Sequence, residues 1–151
     1  MTDSKHILIV DDYLDAVEIW ALYLRSFGYR VSTAGDGAEA VAQAERLLPD
    51  RIVLDLKLPR LSGIEVARRL RANPGTQSIP LIAATGYSLE RQLDLARVAG
   101  FDEIVVKRAT QKRIPPPAFV TSPAISVWNM VSTMGSTLPT GGANDYRYRC
   151  A

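Results

Sequence analysis

Asp11 and Asp12, Asp55, Thr85 and Lys107 are the residues of this 151-residue chain whose types and placing suit chemistry. Each stands at the end of a short apolar run rich in branched side chains: His6–Val10, Arg51–Leu54, Pro80–Ala84 and Glu103–Val106. Three carboxylates brought together repel one another, and keeping all of them ionised demands a compensating cation. A hard divalent ion with oxygen ligands, Mg²⁺ ahead of Ca²⁺, meets that need, particularly where a phosphate completes the octahedron. Lys107 would add a point positive charge and Thr85 a neutral hydroxyl donor, and a carboxylate can serve as nucleophile, so the set suits a phosphoryl group. Any one of the five is accounted for as a loop-starting or helix-capping residue. A set of five at the ends of four such runs is not.

To meet, these residues must be carried by elements that end at one rim. The four runs, with a fifth at Tyr29–Ala34, read as strands buried on both faces. Between them lie segments of helical spacing: Leu14–Phe27, Ala38–Leu48, Ile64–Ala72 and Leu89–Ala99. Asp36 with Glu39 three residues later resembles a capping pair, and Gly28 and Gly100 stand where left-handed residues end helices. Five strands alternating with four helices imply right-handed crossovers and a doubly wound parallel sheet. Ligands bind such sheets outside the carboxyl ends of the strands, which is where all five residues fall.

Ile7-Leu8-Ile9-Val10-Asp11-Asp12, Ile52-Val53-Leu54-Asp55 with Leu58-Pro59 and Gly63, Ala84-Thr85-Gly86, and Val106-Lys107 resemble the receiver domain of bacterial two-component response regulators over about residues 5–107. The resemblance implies an α/β flavodoxin-like fold with strand order 2-1-3-4-5. It implies Asp55 as phosphoacceptor; Asp12, Asp55 and the backbone carbonyl of Lys57 as Mg²⁺ ligands; and Asp11 as their acidic partner acting mainly through water. Thr85 matches the switch hydroxyl and Lys107 the phosphate-contacting lysine. The implied reaction moves a phosphoryl group from a phosphohistidine on a sensor kinase, or a phosphotransfer protein, to Asp55. The domain is not otherwise an enzyme. Two departures stand out. Arg108 follows the lysine where the family usually has proline, and Ile104 occupies the position of the aromatic that swings on activation, with Tyr87 as a substitute.

Two other classes compete. A haloacid-dehalogenase-like phosphatase uses a similar set, but needs aspartates two apart after the first strand, and a flavodoxin would want a Ser/Thr/Gly-rich phosphate loop there. A receiver-like interaction module with impaired switching is a third reading.

Composition bounds the rest. Apolar residues make up 47% and charged residues 23%, an ordinary globular balance. No apolar run approaches the roughly 20 residues of a membrane helix, so the expected location is cytoplasmic. One cysteine, Cys150, and one histidine, His6, allow neither an internal disulfide nor a zinc site. Residues 1–107 hold 15 acidic and 13 basic side chains, residues 108–151 hold 1 and 5, and five of the nine prolines follow Lys107. The expected organisation is therefore a receiver over 1–107 and a basic tail over 108–151. Pro115-Pro116-Pro117 exclude an ordinary fifth helix, which is expected to be missing or replaced. Pro123–Met134 has the spacing of a displaced short helix, although loss of pattern at Arg108 is also what translation in a shifted frame would give. Residues 136–151 read as disordered. Arg68, Arg69 and Arg71 read as a solvated helix face rather than a nucleic-acid site, and His6 as a structural residue at a strand edge. Apolar surface left by the fifth helix points to self-association.

Overall fold

The computed structural model describes residues 4–86, 90–106 and 147–149. The elements run β1 (His6–Val10), α1 (Leu14–Ser26), β2 (Arg30–Ala34), α2 (Gly37–Leu47), β3 (Arg51–Leu54), α3 (Gly63–Ala72), β4 (Leu81–Thr85), α4 (Glu90–Ala99), β5 (Glu103–Val106) and β6 (Arg147–Arg149). One sheet holds all six strands in the order β2-β1-β3-β4-β5-β6. The first five are mutually parallel, in the order 2-1-3-4-5 that the family resemblance implies.

β1, β3 and β4 are buried on both sides because alternate residues face opposite layers, whereas β2, expected to be buried likewise, is an edge strand in which only Ala34 is buried. Leu8, Val10, Ile52, Leu54, Leu81, Ala83 and Ile104 point to one face and pack with α2, α3 and α4 through Ala40, Ala44, Val66, Ala67, Leu70, Leu93 and Ala96. Ile7, Ile9, Val53, Ile82 and Ala84 point to the other, where Val17, Trp20 and Leu24 of α1 meet them. Among the described residues there are four helices, three on one face and one on the other.

The helix ends follow the expected residues. Gly28 and Gly100 have φ of 86° and 99°, the left-handed region that a side chain strains to enter. Asp36 caps α2 by accepting from the Glu39 N–H at 2.8 Å, but the Glu39 carboxylate turns to the Gly35 N–H at 2.9 Å, so only half of a capping box forms. A complete box opens α3 instead, between Ser62 and Glu65. At the β2 edge the Val31 and Thr33 carbonyls accept from Arg25 Nη2 at 3.0 Å and Gln43 Nε2 at 3.1 Å, side-chain donors replacing a strand neighbour.

Two further sequence expectations change. β4 extends to include Thr85, which the pattern had placed just beyond it. Arg147–Arg149, expected to be disordered, form β6, antiparallel on β5 with Ile104 opposite Tyr148. The open edge of β5 supplies backbone partners to an alternating Arg-Tyr-Arg segment, and no periodicity in the tail reveals that partner. The expected helix over 123–134 and the proline-rich linker before it lie outside the described residues.

Candidate phosphoryl-transfer site

Val10 of β1 and Leu54 of β3 are register partners, so the next residue on each chain, Asp11 and Asp55, leaves the sheet at the same height. The ladder continues one step past each strand: the Asp55 N–H donates to the Val10 carbonyl at 2.9 Å, and the Asp11 N–H to the Ala34 carbonyl at 3.2 Å. The backbones of both aspartates are thus fixed by the sheet rather than by a free loop. Asp11, Asp12 and Asp55 converge, each offering a carboxylate oxygen, with these oxygens all within 4.8 Å of one another. Asp11 is buried, Asp55 half-buried and Asp12 exposed, which makes one side of the cluster a floor and the other a mouth.

Two short turns aim the carboxylates. Asp11 Oδ1 accepts from the Tyr13 N–H at 3.0 Å and Asp55 Oδ1 from the Lys57 N–H at 3.0 Å, the side-chain-to-backbone bond two residues on that Asp makes at loop starts. Behind Asp55 the backbone of α3 approaches closely: a Cβ at Gly63 would lie 2.2 Å from the Asp55 carbonyl oxygen, and the Gly63 N–H donates to the Leu56 carbonyl at 3.0 Å. Gly63 therefore serves the site through its lack of a side chain. The Ser62–Glu65 box that starts α3 beneath the site went unread in the sequence, although Ser-x-x-Glu is its usual spacing.

Thr85 ends β4 fully buried and is the register partner of Val106, which Lys107 directly follows. Lys107 and Tyr87 themselves lie outside the described residues. Ile104 is wholly buried in the larger core, paired with Ala83 on one side. The donor set of three carboxylates is all oxygen and anionic, and it fits a hard divalent cation.

Among the described residues the opposite rim carries no such set. There His6 is buried, its Nε2 2.8 Å from Ser32 Oγ and its N–H donating to Asp50 Oδ2 at 2.6 Å. Burial, with Arg30 nearby, lowers the pKa of this imidazole below its ordinary value, and Asp50 opposes that in part. Arg68 and Arg69 are exposed, whereas Arg71 is tied down: it donates to the carbonyls of Gly100, Gln77 and Ile79 and to Asp102. The basic stretch is therefore a solvated face only in part.

Residues 7–116 match the family model of the response regulator receiver domain. The chain belongs to that family. The phosphatase and flavodoxin alternatives fall with this assignment. The probable transcriptional regulatory protein TcrX of Mycobacterium tuberculosis is 38% identical over 102 residues, 67% of this chain and 42% of TcrX. The chain thus spans less than half the length of that relative. Among solved structures, the receiver domain of the sensor histidine kinase PA1611 from Pseudomonas aeruginosa, with a magnesium ion in its active-site cleft, is 34% identical with a TM-score of 0.65, over 70% of this chain and 86% of that one. The response regulator TrrA of Thermotoga maritima, in complex with Mg²⁺–BeF, is 35% identical with a TM-score of 0.61, over 70% and 89%. The described helices give no segment long and apolar enough to cross a membrane.

Proposed function

We propose that this receiver accepts a phosphoryl group on Asp55, with Mg²⁺ held by Asp12, Asp55 and the Lys57 carbonyl, and Asp11 assisting. The convergence of three carboxylates at the carboxyl rim carries this reading. When bound, the ion would neutralise charge that otherwise keeps an anionic phosphoryl donor away. The residues of the chain do the rest by position. Asp55 supplies the nucleophilic oxygen, with its carboxylate oriented by the Lys57 N–H. An oxygen of Asp55 bonds to phosphorus as the bond to the donor imidazole nitrogen breaks, that nitrogen keeping the electron pair and taking up a proton, to give an acyl phosphate; water later hydrolyses it to inorganic phosphate and the free carboxylate. In this reading Thr85, the last residue of β4, and Lys107, the residue after β5, contact the phosphoryl oxygens. Catalysis of this kind is positioning and electrostatics rather than covalent chemistry by further groups.

The donor would be a sensor histidine kinase or a phosphotransfer protein. Output would leave through protein contacts, to a downstream protein or a second copy of the chain. Incubation with acetyl phosphate and Mg²⁺ tests the core of this. Intact-mass analysis is expected to show one acid-stable, base-labile phosphoryl group on the protein and none on Asp55→Asn. Equal labelling of that variant would overturn the assignment.

A further inference from the structure

The loop that joins β3 to α3, residues 55–62, carries both Asp55 and Lys57, and something must hold it at the height the site requires. Its far side rests on the first residue of α2. A Cβ at Gly37 would fall 1.9 Å from the Leu61 carbonyl oxygen and 2.7 Å from Leu61 Cβ, far inside contact distance and against backbone that cannot swing away. The Gly37 N–H donates to the Pro59 carbonyl at 3.4 Å, and Asp36, the cap of the same helix, forms an ion pair with Arg60 at 3.5 Å. Arg60 itself sits at φ 65°, a left-handed conformation in a residue with a Cβ. Local preference does not favour that conformation, so the surroundings must hold it. Leu61 completes the contact by packing, half-buried, on the larger core. At its other end the loop is pinned by Gly63 against Asp55.

We infer that Gly37, which touches neither metal nor phosphate, is a positioning residue for phosphoryl acceptance: α2 sets the β3–α3 loop through the Gly37–Leu61 contact, so that the Lys57 carbonyl and the Asp55 carboxylate face the same point. Gly37 is φ-unremarkable, and the requirement is for space, not for a left-handed backbone. An added methyl pushes the loop away from α2 and carries Lys57 with it. This rests on the metal-site reading above, and the experiment separates the two.

Mg²⁺ affinity is measured by Trp20 fluorescence in a Trp128→Phe background, for the parent, Gly37→Ala, Leu61→Ala and, as a control, Ala44→Gly. Ala44 is buried in α2 away from the loop, so its variant weakens the helix without moving Lys57. Circular dichroism reports that each variant is folded. The expected result is at least a tenfold loss of Mg²⁺ affinity in Gly37→Ala, several-fold in Leu61→Ala and none in Ala44→Gly, with faster hydrogen exchange at the Lys57 and Gly63 amides in the first two. Should Gly37→Ala not fold, Leu61→Ala decides, because it removes only a half-buried anchor. Folded Gly37→Ala or, in its absence, Leu61→Ala with affinity within twofold of the parent overturns the positioning role. A parent that binds no Mg²⁺ instead sinks the metal-site reading on which it rests.

Discussion

Replacing Asp55 by Asn is expected to make the metal-free protein more stable while abolishing its response to Mg²⁺. Asp55 shares the rim with Asp11 and Asp12, their oxygens within 4.8 Å of one another, so the substitution removes two like-charge pairs. At that separation each pair costs about 0.9 kcal/mol at the dielectric constant of water, and more where protein displaces solvent. Asp55 is only half-buried, so the water-like figure is the better guide, and salt near 0.1 M, with a Debye length of about 10 Å, trims it further. The two pairs together amount to about 1–2 kcal/mol, and the attraction of Asp55 to its other partners, Lys107 among them in the reading above, offsets part of it, leaving a net gain of about 1 kcal/mol or less. Asn keeps a carbonyl oxygen that can accept from the Lys57 N–H, so the turn at the site need not be lost. Urea unfolding of parent and variant in EDTA should show the variant midpoint higher with an unchanged slope, the gap narrowing as NaCl is added. With Mg²⁺ present the parent should gain stability logarithmically with ion concentration above its Kd, and the variant should not. A variant less stable than the parent in EDTA, or stabilised equally by Mg²⁺, would refute the reasoning that these carboxylates form a strained, cation-seeking cluster.

Arg71→Ala should cost about 3 kcal/mol, since one charged donor serves three backbone carbonyls and Asp102, and such bonds net roughly 1.5–3 kcal/mol each without being additive; chemical denaturation measures it, and Mg²⁺ binding of the folded variant should be unchanged because Arg71 lies at the opposite rim. Below pH 6.5 stability should fall as pH falls, because burial holds the folded His6 pKa under its unfolded value and the unfolded chain then binds the extra proton; His6→Gln should flatten that part of a stability-versus-pH curve from pH 5 to 7.5. Removing the donors that cover the β2 edge, in Arg25→Ala/Gln43→Ala, should increase self-association seen by light scattering, since the Val31 and Thr33 carbonyls lose their partners.

The sheet and the acidic cluster were legible because both follow from signals local to a few residues. Runs buried on both faces are nearly pure apolar sequence, and charged residues placed immediately after such runs must emerge at one rim of a parallel sheet. Asp11, Asp12 and Asp55 could therefore be brought together on paper. Arg71 could not: in sequence it is one of three neighbouring arginines, and only the fold brings Gly100, Ile79 and Asp102 within reach of its guanidinium while leaving Arg68 and Arg69 in solvent. β6 is a case of the same kind, since a three-residue strand owes its existence to the edge it meets rather than to its own pattern.

Gly37 shows most clearly what a sequence pattern withholds. Positioned one residue after a helix cap, it reads as an ordinary helix start, and the positive φ that explains Gly28 and Gly100 does not apply to it. Its necessity is steric and non-local, a backbone oxygen of a loop 24 residues further along occupying the space of its missing Cβ. The same logic governs Gly63, where the oxygen belongs to the phosphoacceptor candidate itself. Both glycines press helix starts against the one loop that bears Asp55 and Lys57, so the site is supported from two sides by atoms that are absent. Gly63→Ala should accordingly damage Mg²⁺ binding at least as much as Gly37→Ala, since its methyl would press directly on the Asp55 carbonyl. The fluorescence titration described for Gly37 measures it, and a folded Gly63→Ala with parental affinity would show that the loop yields without moving its carboxylate.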